Sequence, residues 1–145
     1  MNSFKTYTIP IEDRERLIFI VKSELLKHKE IVFAYVYGSF VDHEMPFFRD
    51  IDIGVFVDES AVPVNKFMDY SINLSLKLES LMKKYPVDVV ILNNAPLNLV
   101  FKITQGELLF IRDEDLWTDF VTKAWSLYND HAITSRHILE EIITA

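Results

Sequence analysis

The segment Asp50-Ile51-Asp52-Ile53-Gly54-Val55-Phe56-Val57 constrains the chain more than any other. Its β-branched and aromatic residues read as a strand. Side chains alternate along a strand, so Asp50, Asp52, Gly54 and Phe56 share one face. Ile51, Ile53, Val55 and Val57 share the other and require a helix-covered core. Two carboxylates thus project side by side where the strand starts, next to the space that Gly54 leaves. Like charges so close repel, and the repulsion raises a carboxyl pKa. A fold that keeps this pair needs something to compensate it.

Two more features bear on that need. Asp88 lies in the run Val87-Asp88-Val89-Val90-Ile91-Leu92, which reads as a strand apolar on both faces and therefore central in its sheet. An acid flanked only by apolar residues calls for a partner. Upstream, Gly38-Ser39 directly follows a β-branched and aromatic strand, residues 31–38. Gly allows a backbone to approach a phosphate closely, and Ser39 adds an N–H and a hydroxyl. The lysine and longer glycine spacing of a P-loop are absent. Strand-end Asp residues also cap turns or pair with cations, for which Arg49 and Lys84 are candidates. With Gly38-Ser39 and Asp88 added, the pattern points instead to a metal site. Hard Mg²⁺ takes carboxylate oxygens and keeps positions open for substrate phosphates. Three strand-borne carboxylates could hold two ions about 3.5–4 Å apart.

The remaining chain supplies the frame. Leu17, Ile18, Val21 and Leu25 recur at helical spacing within 11–28. Pro63 opens a long helix with Phe67, Leu74, Leu78, Leu81 and Tyr85 on one face. Asn94 and Pro96 read as cap and first turn of a helix that Gly106 ends, and Glu107–Ile111 as a short edge strand. Asp113–Asp130 is a helix opened by acidic residues, with an amphipathic tail over 132–143. The order is helix-strand-strand-helix-strand-helix-strand-helix, an α/β class. About a dozen residues without helical pattern join the first two strands, so an antiparallel pair and a mixed sheet are expected.

Half of the 145 residues are hydrophobic, enough for one compact domain over 1–145 with a helical C-terminal tail about 114–145. No apolar run reaches the roughly 18 residues of a membrane span, and the N-terminus lacks a signal-peptide pattern. There is no Cys, which fits a reducing compartment, so cytoplasmic localisation without membrane contact is expected. A net charge of −7 argues against direct nucleic-acid binding. An acidic chain that binds a nucleotide needs a metal ion or oriented backbone N–H groups between the charges.

Gly-Ser, ten intervening residues, then Asp-x-Asp between hydrophobic strands resembles the DNA polymerase β-like nucleotidyltransferase superfamily, and most of all its minimal, MNT-type branch. The stretch VDVVILNNAPLNLVFKITQGELLFIRDE is similar to that branch's third-carboxylate strand, helix and Gly-containing turn. The resemblance spans about residues 31–130. It implies a mixed sheet flanked by helices that binds ATP with Mg²⁺. Asp50 and Asp52 would hold two metal ions, and Asp88 would complete the site as ligand or base. Gly38 and Ser39 would contact the triphosphate, and a hydroxyl would attack the α-phosphate with pyrophosphate leaving. Proteins of this branch are commonly antitoxins partnered with HEPN-domain RNase toxins, and some transfer AMP onto a toxin tyrosine.

The chain departs from the branch after Phe40. Val41-Asp42-His43-Glu44 replaces its basic and Gly positions, and Arg49 stands where a small Ser usually precedes Asp-x-Asp. Arg49 is therefore the expected stand-in for nucleotide binding, while His43 reads as a solvated loop residue. The leading expectation is an adenylyltransferase antitoxin acting on a HEPN partner. Small-molecule transfer of the aminoglycoside-modifying kind ranks lower, because those relatives carry an added helical domain. A non-catalytic antitoxin acting by contact is the third reading, and homo-oligomerisation stays open. Trp117, Phe120, Trp125 and Tyr128 are expected to pack inward for the most part, with Arg136, His137 and Ile138 as candidate interface residues.

Overall fold

A computed structural model describes residues 6–41 and 47–144, without the side chains of 132–139, 143 and 144. The elements run α1 Ile11–Leu26, β1 Ile31–Tyr37, β2 Ile51–Val57, α2 Phe67–Met82, β3 Val87–Ile91, α3 Leu97–Thr104, β4 Glu107–Ile111 and α4 Glu114–Thr144. The four strands form one mixed sheet in the order β3-β2-β1-β4. β1 pairs antiparallel with β2 and with β4, whereas β2 and β3 are parallel. The expected fold class and element order are both observed.

Strand alternation builds two cores. Ala34 and Val36 of β1, Ile51, Ile53, Val55 and Val57 of β2, and Val87, Val89 and Ile91 of β3 bury one face. Leu17, Val21 and Leu25 of α1 cover it, with Phe67, Leu74, Leu78 and Met82 of α2. On the opposite face, Phe33, Tyr35 and Tyr37 meet Val100 and Ile103 of α3 and Ala124 of α4. Gly54 is needed there, because a Cβ on it would lie 2.6 Å from Ile103 Cγ2. Its lack of a side chain lets α3 sit directly on the sheet.

Four details differ from the sequence reading. β3 is an edge strand rather than a central one. One face of it, Val87, Val89 and Ile91, is buried in the core that α2 covers, while Asp88 is exposed and Val90 half-buried on the other, and α2 also guards its open side. The Val87 N–H donates to Glu79 Oε1 at 3.0 Å and the Val89 N–H to Ser75 Oγ at 3.1 Å, so side chains occupy donors that an edge would otherwise offer. Leu81 is 45% exposed and Met82 takes the inward position instead, and because α2 ends at Met82, Tyr85 lies beyond the helix rather than on its face. Asn94 ends a 3₁₀ turn, Leu92–Asn94, and Pro96 occupies the N-cap position of α3. Finally, α4 is one continuous helix of 31 residues that absorbs the expected tail. Asp113 caps it, accepting from the Leu116 N–H at 3.1 Å.

The aromatic stripe on α4 packs inward as expected. Trp117 donates its indole N–H to Tyr35 Oη at 2.8 Å, and Phe120 lies against Phe33 and Phe56. Trp125 is partly exposed, yet it donates to Thr104 Oγ1 at 2.7 Å, and Tyr128 stacks on Phe101. The side chains of Arg136, His137 and Ile138 lie outside the described residues.

An aromatic knot closes the fold beside the start of β2. Phe40 and Phe48 are both buried and meet edge to face, their ring centroids 4.8 Å apart. Tyr85 and Tyr7 pack on Phe48 at 5.3 and 5.8 Å, and Tyr7 exchanges two backbone hydrogen bonds with Phe48. Arg14, also buried, donates to the Phe40 carbonyl. These contacts pin both ends of the connection between β1 and β2. Phe48→Ala is expected to cost about 3–5 kcal/mol, since the knot would keep a phenyl-sized hole. Urea unfolding of the two proteins measures the loss.

Candidate active site on the sheet

The strand register gathers the site. Tyr37 of β1 lies opposite Asp52 of β2, and Asp52 lies opposite Asp88 of β3. One tyrosine and two carboxylates therefore form a row across three neighbouring strands, on the α3 side of the sheet. Asp50 immediately precedes β2 and stands within hydrogen-bonding reach of Asp52. Two residues beyond the row, Gly54 and Ile103 bring the last turn of α3 down beside it.

The turn after β1 belongs to the same place. Gly38 has φ of +82°, a conformation that favours glycine, and the Val41 N–H closes the turn on the Gly38 carbonyl. A Cβ on Gly38 would lie 2.6 Å from Asp52 Oδ2. The backbone at Gly38-Ser39 therefore touches the carboxylate that shares the row with Asp88, and the glycine turn and the acidic strand start are one locus. A cleft of about 350 Å³ opens beside it, lined by Tyr37, Gly38, Val41, Lys102, Gln105 and Gly106.

The electrostatics show how costly this arrangement is. Burial pushes the Asp52 carboxyl up, the charges of Asp50 and Asp88 and the hydrogen bond with Asp50 push it further, and Lys102 offsets part of the rise. It stands at about 7. Asp88 is likewise raised, by burial first and then by Asp50. Burial also raises the Tyr37 hydroxyl, and all three carboxylates add to the effect, so Tyr37 stays a neutral phenol.

Among the described residues, no three His, Asp or Glu side chains stand close enough together to hold a metal ion as they are. The donor chemistry nonetheless fits hard divalent cations. The row offers carboxylate oxygens and no soft ligand, and its mutual repulsion is the cost that a cation would remove.

Of the expected site residues, Gly38, Ser39, Asp50, Asp52 and Asp88 converge on this end of the sheet. Arg49 adjoins Asp50 in sequence but is absent from the cleft lining. His43 and Glu44 lie outside the described residues. Two groups escaped the sequence reading, Tyr37 and Lys102. Strand alternation would have given the face of Tyr37, but its place opposite Asp52 depends on the register. For Lys102 the only signal was a lone cation in the apolar run from Leu97 to Ile103.

The chain belongs to the polymerase beta, nucleotidyltransferase family, whose model matches residues 21–115. A chain of the toxin–antitoxin MntA–HepT crystal structure shares its fold with a TM-score of 0.57 and 21% identity, over 86% of this chain and 98% of its own. A chain from the complex of tri-AMPylated Shewanella oneidensis HEPN toxin with MNT antitoxin gives 0.58 and 22%, over 87% and 98%. One from a toxin–antitoxin structure with AMP-PNP gives 0.59 and 24%, over 89% and 98%. At these identities the likeness is one of fold. A search of curated proteins returns no match.

The site makes a pH-dependent prediction for metal-free protein. Asp52 titrates near 7 when folded, against an ordinary 3.8. Its raised folded value means that stability is lost as pH rises through about 7 and is restored as pH falls towards 4. In chelator-containing buffer, Asp52→Asn should therefore melt above the parent at pH 8, and the gap should shrink at pH 5. A gap that ignores pH would contradict the carboxylate assignment.

Proposed function

We propose that the chain is a Mg²⁺-dependent nucleotidyltransferase that moves AMP from ATP to a hydroxyl of a partner protein, a HEPN-domain toxin, and so acts as an antitoxin. One observation carries the reading. The Gly38 turn abuts Asp52 in a row that continues to Asp88, inside a chain of the nucleotidyltransferase family. The choice of partner is supported by the MntA–HepT and MNT–HEPN structures that share the fold, one of them with a tri-AMPylated toxin. The AMP-PNP structure supports ATP as donor.

On this reading Gly38 and Ser39 receive the triphosphate through backbone N–H and hydroxyl donors. Asp50, Asp52 and Asp88 would hold Mg²⁺, which would supply positive charge for the phosphates and the attacking hydroxyl. The acceptor oxygen bonds to the α-phosphorus as the bond to the pyrophosphate oxygen breaks. The acceptor's proton is lost to a carboxylate or water, and pyrophosphate leaves. The whole of 1–145 serves as one transferase domain, with 114–145 as its helical tail. No described helix is long and apolar enough to cross a membrane, and the reading places the chain in the cytoplasm with its partner.

Contact-only neutralisation is the second reading, favoured by the acidic Asp42 and Glu44 after the Gly38 turn. One experiment separates the two. Incubated with radiolabelled ATP, Mg²⁺ and a candidate HEPN-domain partner, the parent should label that protein, and an Asp50→Asn/Asp52→Asn double variant should not. No labelling by the parent, leaving it indistinguishable from the double variant, would refute the transferase. Full protection of cells by the double variant would establish neutralisation by contact.

A further inference from the structure

The turn that would receive the triphosphate is poor in positive charge. From Gly38 to Phe48 the sequence contains no Lys or Arg, and it contains Asp42 and Glu44. Four phosphate charges arriving beside Asp50, Asp52 and Asp88 need a cation from elsewhere in the fold. Arg49, next to Asp50 in sequence, does not line the cleft beside Gly38, and neither do the three carboxylates, which adjoin it across Gly38.

Lys102 does. It projects from the last turn of α3 and lines the cleft together with Gly38, Val41 and Gly106. Its backbone is held firmly on both sides. Ile103 is buried on Gly54, and Thr104 donates to the Val100 carbonyl while accepting from Trp125. The side chain itself is exposed, which leaves its ammonium free to swing between the carboxylates and an entering anion. A lysine is suited to that task, being a mobile point charge with three donors on a flexible stem.

We propose that Lys102 is the phosphate-binding cation of this site, engaging the β- and γ-phosphates of the nucleotide in place of a basic residue in the turn after Gly38-Ser39. The assignment rests on the nucleotidyltransferase reading above. It makes Lys102 a determinant of selectivity for triphosphate over monophosphate, distinct from the groups that would hold Mg²⁺.

Equilibrium binding of ATP and AMP to the full chain with Mg²⁺, without acceptor protein, tests it. Lys102→Gln should weaken ATP binding by about tenfold or more, as loss of a charged hydrogen bond does, and leave AMP binding unchanged. Lys102→Arg should restore most of the ATP affinity, because it keeps the charge. Equal ATP affinity in parent and Lys102→Gln would overturn the assignment, as would an equal loss for ATP and AMP. If the parent binds no ATP, the nucleotidyltransferase reading falls and this assignment falls with it.

Discussion

Repulsion among Asp50, Asp52 and Asp88 is the constraint around which this protein is organised. Two unit charges about 4 Å apart, at an effective dielectric near 20, interact by about 4 kcal/mol. That is comparable with the whole margin of a small domain, about 5–15 kcal/mol. A sheet would escape the cost by letting the strand start fray or the register slip. Neither escape is open, because β2 is held between β1 and β3 and its opposite face is buried under α1 and α2. The charges are kept together by apolar packing that has nothing to do with them.

The aromatic knot completes that containment. Phe40 follows the Gly38 turn and Phe48 precedes Asp50, so their contact sets the two halves of the site relative to each other. Gly38 and Gly54 remove side chains at the two places where backbone or helix must come closest to the acidic row. Rigid apolar scaffolding and a strained polar centre are thus two sides of one design, as expected where function opposes stability.

Much of this was legible in the residues themselves. Alternation along 50–57 gave the shared face of the carboxylates, and β-branched runs gave the strands in their order. What failed to read out depends on neighbours distant in sequence. Val87–Ile91 suggested a central strand because apolar residues occur at both parities, yet only Val87, Val89 and Ile91 are buried, and α2 rather than a further strand meets the open side. Asn94 looked like a cap, but Pro96 already sets the extended backbone before α3. Lys102 comes near enough to Asp52 to act on its charge because Gly54 admits Ile103, a contact between residues far apart in sequence. Leu81 and Met82 exchanged roles because helical phase drifts over a helix of 16 residues.

The side-chain capping of β3 bears on how the protein behaves in a crowded cell. Indefinite stacking of sheets requires each chain to present two receptive margins, one for the neighbour before and one for the neighbour after. Glu79 and Ser75 withdraw one of them by occupying the Val87 and Val89 amides. Any association through the β4 margin then ends at a pair, so a valine-rich strand can persist at high concentration without seeding fibres.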